Sequence, residues 1–390
     1  MVNAKAYFDY AASTPLDPAV REAMEPYLTQ RFGNPGSVHS FGREALTGLD
    51  RARAQAADFL GCQPAEIIFT SGGTEANNLA IWGTVKSGDH IVTSAIEHPS
   101  VLEPCRQLER SGVEVTYLPV GPAGMVSVAD VGDAIQAQTR LISLMYVNHE
   151  LGTIQPVAEV GKLVSAQNQQ RKKSRQGAIR VHTDAVQAAA YCPMNVAALG
   201  VDLLSLSAHK VYGPKGVGLL YRRSAVALEP RQFGGGQELG LRSGTPDVAA
   251  IVGFGRALEL LGSPAHAAAM RRVAELQRQL MVLLTKNFKG CRINGDLKER
   301  IPGNLNVSFK GTDGPALLML LDERGVAVSV GSACSAGSLD PSPVIMALGL
   351  TKEAVRGSVR ISFGRGTTTA DVARLVQALR EAVGRAGDRA

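Results

Sequence analysis

Between about residue 60 and residue 225, short runs of β-branched and aliphatic residues alternate with longer stretches whose apolar positions recur at helical spacing. The short runs are Ile67 to Thr70, His90 to Ala95, Val113 to Pro119, Leu141 to Val147, Arg180 to His182, Leu203 to Ser207 and Gly218 to Arg222. Such residues suit a pleated, buried surface and predict strands. Helical patterns lie between several of them, over Glu75 to Lys86, Ser100 to Ser111, Val128 to Gln138 and Val157 to Gln169. The alternation predicts an α/β large domain in which a mostly parallel, seven-stranded sheet carries helices on its faces. After Gly234-Gly235-Gly236 the pattern changes. A long helical region runs from Pro246 through Asn287, broken near Gly262 to Pro264, where a domain boundary is expected. Strands at Asn304 to Phe309, Val326 to Val330 and Val359 to Phe363, with helices at Pro315 to Arg324 and Ala370 to Val383, predict a smaller α+β domain. The expected division is residues 15–260 for the large domain and 261–390 for the small one, with residues 1–14 packing against the latter.

Composition narrows the class. At about 150 residues per domain, 390 residues imply at least two. Hydrophobic residues at 45%, charged residues at 19% and 42 glycines describe a globular chain with many turns rather than a disordered one. The longest apolar runs, such as Ala316 to Leu321, fall far short of the roughly 20 residues a membrane span needs. The first residues lack the apolar stretch of a signal peptide, so a cytoplasmic protein is expected. Five cysteines, at 62, 105, 192, 291 and 334, are scattered without a C-x-x-C pair, which argues against a disulfide framework or a metal site. The net charge of +6 is densest at Arg171, Lys172, Lys173 and Arg175. No aromatic residues interleave these charges, so they read as a solvated helix end and loop rather than a nucleic-acid platform. A basic surface equally suits an anionic cofactor or an acidic partner.

Ligands of open α/β sheets sit beyond the carboxyl ends of the strands, so the turns that follow strands carry the chemistry. Four are unusual. Ser71-Gly72-Gly73-Thr74-Glu75-Ala76-Asn77 opens a helix with glycines and a hydroxyl, as a phosphate cradle does, although many helices start this way for capping alone. In Glu97-His98-Pro99 a histidine follows a strand, more often a satisfied strand-end residue than a catalytic one when taken in isolation. In His182-Thr183-Asp184-Ala185-Val186-Gln187 a strand delivers a carboxylate, which by itself is commonly a helix cap. In Ser207-Ala208-His209-Lys210-Val211-Tyr212-Gly213-Pro214-Lys215-Gly216 a lysine beside a hydroxyl and an imidazole suits a Schiff base with a carbonyl cofactor, and position alone leaves Lys215 a rival of Lys210. Together the four turns supply the protein groups that pyridoxal 5'-phosphate chemistry needs.

These four segments resemble the cysteine desulfurases, class V members of the fold-type I pyridoxal-phosphate enzymes. The resemblance runs from Tyr7-Phe8-Asp9-Tyr10-Ala11-Ala12 and Gly33-Asn34-Pro35 through Arg242-Ser243-Gly244-Thr245-Pro246 to Arg360-Ile361-Ser362-Phe363-Gly364. It implies that Lys210 rather than Lys215 carries the cofactor, that Asp184 partners the pyridinium nitrogen and that His98 stacks on the ring and carries a proton. It assigns Gly73, Thr74, Ser207 and His209 to the phosphate, with Thr245 reaching across from the second subunit of a homodimer. Gln187 falls near the phenolic oxygen. Arg360 falls to the substrate carboxylate, for which its planar fork of donors is suited, and Asn34 to the substrate side. One position departs from the family pattern: Asn148-His149-Glu150-Leu151-Gly152 has a histidine where a second asparagine that contacts cofactor and substrate is usual.

Cys334 lies in the Gly/Ser/Ala-rich stretch Ser329 to Ser338, which reads as a mobile loop suited to an exposed thiol, whereas the other four cysteines read as buried and inert. The resemblance makes Cys334 the residue that takes sulfur from L-cysteine as a persulfide and releases alanine, with any contact to an iron–sulfur cluster confined to transfer. A sulfur acceptor or scaffold protein is the implied partner. Alternatives that remain open are selenocysteine lyase, another class V reaction, or a sulfur-delivery protein with little free turnover. Housekeeping relatives extend beyond their last helix to dock a scaffold, while this chain ends at Arg385-Ala386-Gly387-Asp388-Arg389-Ala390, which leaves the partner unspecified.

Overall fold

The computed structural model describes residues 5–331 and 342–387, so Cys334 lies outside the described residues. In chain order the first elements are β1 (Ala6–Tyr7), α1 (Pro18–Thr29), α2 (Ser40–Leu60), β2 (Ile67–Thr70), α3 (Gly73–Thr84), β3 (His90–Ser94), α4 (Pro99–Glu109) and β4 (Glu114–Leu118). They are followed by α5 (Val128–Asp133), β5 (Thr139–Ser143), α6 (Val157–Lys173), β6 (Arg180–Asp184), α7 (Val196–Leu199), β7 (Leu203–Ser207), β8 (Gly218–Arg222), α8 (Val248–Leu261) and α9 (Pro264–Asn287). The remainder comprises β9 (Cys291–Asn294), β10 (Asn304–Phe309), α10 (Gly314–Asp322), β11 (Val326–Ala327), α11 (Pro343–Ala347), α12 (Lys352–Arg356), β12 (Ser358–Ser362) and α13 (Thr369–Gly387).

The seven expected strands form one sheet in the order β2-β8-β7-β6-β5-β3-β4. β8 alone runs opposite to the other six strands. The carboxyl ends of β2, β3, β5, β6 and β7 therefore share one edge, and the chain switches direction between β3 and β5, where α/β sheets open a crevice. Strands buried on both faces explain the nearly continuous apolar runs. Among them β2, β3 and β7 are buried at every position, and β5 at all but Arg140.

The two largest hydrophobic cores divide the chain. One surrounds the seven-stranded sheet, from Val20 to Leu258 with Ile301. The other gathers Val273 to Ala386 and takes in Ala6 and Phe8 from the N-terminus. In the second, β12, β10 and β9 form an antiparallel sheet, and β1 pairs in parallel with β11. Phe8 packs edge-on against Phe363 at 5.4 Å. Among the described residues, no single helix is long and apolar enough to cross a membrane.

Several expected boundaries move, each for a physical reason. The strand expected over Leu141 to Val147 ends at Ser143, because the Glu97 carboxylate, instead of a neighbouring strand, accepts from the Met145 N–H at 3.0 and 3.1 Å. The helix expected to Gln138 stops at Asp133, just after Gly132, a weak helix former. The strand expected over Val326 to Val330 is two residues long, because at Ser329 the pairing passes from β1 to Arg360 of β12. α1, α2 and β9 were not marked by the apolar pattern. α2 buries mainly small residues, Gly42, Ala45, Gly48, Ala52 and Ala56, and meets α8 at Ala52. The close approach requires Gly255, where a Cβ would fall 2.7 Å from Ala52 Cα. The basic stretch also differs from expectation at one residue. Arg171 is buried and donates to the carbonyls of Gln136, Ala137, Thr139 and Gly177, while Lys172, Lys173 and Arg175 are exposed.

Candidate active site

A cavity of about 170 Å³ opens at the shared carboxyl edge. Gly73, Thr74, His98, His149, Asp184, Gln187, Ser207, His209, Lys210 and Arg360 all line it. The geometry thus gathers ten of the residues singled out from sequence. It does not gather Asn34 and Thr245. Both are exposed; Asn34 shapes a turn by accepting from the Gly36 N–H at 2.9 Å, and each lines a separate groove containing Glu238 and Pro246.

α3 begins at Gly73, so its first N–H groups have no intrahelical partner and its dipole favours an anion. A Cβ at residue 73 would fall 2.8 Å from Val186 Cγ2, so only glycine lets this helix start lie against the β6 turn. One turn on, Asn77 faces inward. Its Nδ2 donates to Asp184 Oδ2 at 2.7 Å and to Ser100 Oγ at 2.8 Å. Asp184, at the end of β6, is buried and also accepts from the Val186 N–H through Oδ1 at 3.0 Å.

His98 caps α4, its Nδ1 accepting from the Ser100 N–H at 3.1 Å. Ser100 Oγ, already accepting from Asn77, lies 2.8 Å from the same nitrogen and donates to it. Neutral His98 therefore carries its proton on Nε2. Burial pulls its pKa below the usual histidine value, the Asp184 charge opposes this and Lys210 reinforces it. Behind it Glu97 is fully buried, which raises its pKa to about 8 against the hydrogen bonds from Ser94 and Met145.

Lys210 ends a single 3-10 turn after β7 and donates to the carbonyls of Ala11 and Ala12 at 2.7 and 2.9 Å. Gln187 Nε2 donates to the same Ala11 carbonyl at 2.8 Å. Tyr212 then turns the chain with a left-handed φ of 64°, uncommon outside glycine, its N–H held by Thr14 Oγ1 at 2.7 Å. Beyond that bend Lys215 is exposed and outside the cavity, which separates the two lysines that sequence position left as rivals. His209 is half-buried, and desolvation with the neighbouring Lys210 and Lys215 charges lowers its pKa to about 4.

The loop after β5 is shaped by Asn148. Its Oδ1 accepts from the N–H groups of Glu150 and Leu151, and its Nδ2 donates to the Ile96 carbonyl. His149 is thereby presented to the cavity, buried, with its ring 5.2 Å from that of His98 in an edge-to-face contact. Its Nδ1 is buried without a protein partner. Desolvation, then the His98, Arg360 and Lys210 charges, keep it neutral well below the ordinary histidine range. From β12, Arg360 enters the cavity 1% exposed, paired with Asp9 at 2.8 Å. Asn77, Ser100, Ala11, Ala12 and Asp9 were not given roles from sequence. Asn77 could have been found by its spacing, since it lies four residues after Gly73 on the same helix face; the others follow from no local signal.

The cavity fits pyridoxal 5'-phosphate on its own chemistry. It offers an amine at Lys210, a buried carboxylate at Asp184 that can face a cationic ring nitrogen, and a glycine-started helix N-terminus for a phosphate. The unpartnered His149 Nδ1, Asn77 Oδ1 and Arg360 Nε are buried polar atoms that a polar ligand would satisfy. With this sheet order, the class is that of the fold-type I enzymes that use pyridoxal 5'-phosphate as cofactor. The aminotransferase class-V family model matches residues 6–375, and the chain belongs to that family, in its cysteine desulfurase branch. It is 45% identical over 372 residues to the cysteine desulfurase IscS of Dictyoglomus turgidum, with 94% of this chain and 92% of the relative covered. It is 43% identical to the cysteine desulfurase of Rattus norvegicus, with 95% and 81% covered. Among solved structures it is similar to a NifS-like protein (TM-score 0.89, 35% identity, 98% and 100% covered). A second is SspA in complex with cysteine (TM-score 0.80, 37% identity, 93% and 100% covered).

Proposed function

We propose that the protein removes sulfur from L-cysteine, releasing L-alanine, and that Cys334 receives the sulfur as a persulfide. The observation that carries this reading is the meeting of an amine, a buried carboxylate and a buried guanidinium in one cavity of a chain so similar to cysteine desulfurases. When bound, pyridoxal 5'-phosphate supplies the electron sink that makes the substrate Cα–H acidic. Lys210 would hold the cofactor, and its amine is the base placed to take the substrate Cα proton. The buried Asp184 carboxylate, held by Asn77 and the Val186 N–H, would keep a proton on the ring nitrogen. Gly73, Thr74, Ser207 and His209 would hold the phosphate, joined by Thr245 of a second copy of the chain. Gln187, tied to Lys210 through the Ala11 carbonyl, serves the phenolic oxygen. His149 contributes Nδ1 to cofactor and substrate where an asparagine is usual in relatives. His98, neutral and protonated on Nε2, returns a proton to the product carbon.

Arg360 holds the substrate carboxylate. The Cys334 thiolate attacks the substrate sulfur: the S–S bond forms as the Cβ–S bond breaks, and the electron pair stays with the substrate carbon, which is protonated. One cysteine gives one alanine and one persulfide with no outside oxidant or reductant. A persulfide carrier needs a compartment in which thiols stay reduced, which supports a cytoplasmic location. Homodimer formation is supported by the exposed Leu46 and Leu239, which line the groove that holds Asn34, and by the exposed Phe32 and Phe41, whose rings meet at 5.6 Å. The two cores support a large and a small domain, with the N-terminal segment belonging to the small one. A sulfur-accepting protein is the expected partner. In the test, purified protein should show a visible absorption band that borohydride removes, and cysteine should yield alanine with a persulfide on Cys334. Undiminished sulfide release by Cys334→Ser refutes the sulfur-transfer step.

A further inference from the structure

The structure assigns Asp9 a positioning role in substrate recognition: it fixes the guanidinium of Arg360 in the orientation that receives the substrate carboxylate. This rests on the reading of Arg360 given above. The Arg360 side chain is almost wholly excluded from solvent, and a buried guanidinium with no fixed partners is costly and has many rotamers to lose on binding. Two anchors remove that freedom. Nη2 donates to Asp9 Oδ1 at 2.8 Å, and Nη1 donates to the His149 carbonyl at 3.0 Å, a carbonyl that also accepts from Asn304 Nδ2 at 3.3 Å. Anchors on two different nitrogens set the plane of the fork. Arg carries five N–H donors, so these two bonds leave donors on both Nη atoms together with Nε, which is buried and unpartnered. Asp9 engages through one oxygen, so it compensates the charge without covering the whole edge of the guanidinium.

Asp9 is itself fixed from several sides. Its carbonyl accepts from Tyr7 Oη at 2.9 Å, and its backbone bridges Ser362, two residues from Arg360. Ser362 donates its N–H to Phe8 O at 2.7 Å and accepts from the Ala11 N–H through Oγ at 2.9 Å. The Arg360 backbone is held as firmly, exchanging hydrogen bonds with Ser329 at 2.7 and 3.1 Å. Both partners of the ion pair thus sit on backbone that cannot follow a misplaced side chain, and orientation of the fork depends on the Asp9 contact.

The test compares Asp9→Ala, Asp9→Asn and Arg360→Ala as holoenzymes. Asp9→Ala should raise KM for cysteine by about 10-fold or more with kcat changed by less than about threefold, and Asp9→Asn, which keeps the acceptor oxygen, should restore KM to within about threefold of the parent. Calorimetric titration supplies a readout apart from turnover. L-Alanine should bind Asp9→Ala about 10-fold more weakly, whereas L-alaninamide, which lacks the carboxylate, should bind it as it binds the parent. An unchanged KM in Asp9→Ala overturns the inference, as does Asp9→Asn being as impaired as Asp9→Ala. Equal losses for the two titrated ligands overturn it too, since they mark a lesion in the fold. If Arg360→Ala leaves KM for cysteine unchanged, the failure lies in the reading of Arg360 instead.

Discussion

Asn77 links Asp184 to His98, and its removal should weaken cofactor binding through that link alone. Alanine is the best helix former, so Asn77→Ala leaves α3 intact. It deletes the donor to Asp184 Oδ2 at 2.7 Å, a buried hydrogen bond to a charged group worth about 1.5–3 kcal/mol. It also deletes the donor to Ser100 Oγ, the group that orients His98. Asp184 keeps only the Val186 N–H on its other oxygen. Asn77 Oδ1 is already buried without a partner, so its loss relieves about 1 kcal/mol in the unliganded protein. Fold stability should accordingly fall little while affinity falls more. At about 1.4 kcal/mol per decade, the dissociation constant for pyridoxal 5'-phosphate should rise about 10- to 100-fold, read by equilibrium dialysis of the reconstituted apoprotein. A double-mutant cycle isolates the mechanism: in an Asp184→Ala background the further change Asn77→Ala should cost no more than about 0.5 kcal/mol. The reasoning is refuted if Asn77→Ala costs as much there as in the parent chain, or if the parent loses less than twofold in affinity.

Borohydride reduction followed by peptide mass mapping should find the cofactor on Lys210. Lys210→Ala should abolish the adduct and Lys215→Ala should leave it in full. Burial raises the thiol pKa to about 12 at Cys62, Cys105 and Cys192 and about 11 at Cys291, so alkylation of native protein near pH 8 should label one fast thiol, absent in Cys334→Ser. Rapid labelling of a second cysteine before denaturation would contradict this. His182 is buried between Ser143 and Ser205, and desolvation lowers its pKa to about 3. The unfolded chain binds this proton from about pH 6.5 downward while the folded one refuses it, so stability is full above pH 6.5 and declines below it, by about 2 kcal/mol at pH 5. Thermal scans should show that His182→Gln, which cannot titrate, loses less midpoint between pH 7.5 and pH 5 than the parent.

Sheet, helices and most of the cavity were legible because their signals are local. Strands buried on both faces must be apolar throughout, and the residues that serve a ligand fall in the turns immediately after them. The signal fails where packing uses small side chains. α2 joins α8 through glycine and alanine, which give little contrast between a buried and an exposed face. It fails again where a side chain substitutes for backbone, as when Glu97 ends β5 by accepting from Met145. Lys210 and Lys215 could not be separated by spacing, because the left-handed turn at Tyr212 that parts them depends on Thr14, almost 200 residues earlier. Contacts of such sequence separation leave no periodic trace.

The residues from Phe8 to Ala12, which the sequence marks as part of a family motif without giving them a role of their own, do the most to bring the halves of the site together. Phe8 belongs to the second core, Asp9 pairs with Arg360 from that core's sheet, and Ala11 and Ala12 accept from Lys210 and Gln187 at the edge of the large one. None of these contacts depends on a periodic apolar pattern, and three of the carbonyl bonds are indifferent to side-chain identity. A stretch without apolar periodicity can therefore set the distance between a lysine and an arginine 150 residues apart in the chain. The Lys210 end of the cavity is built on the large sheet and the Arg360 end on the small one, and the segment from Phe8 to Ala12 bonds to both, through the Ala11 and Ala12 carbonyls on one side and the Asp9 carboxylate on the other.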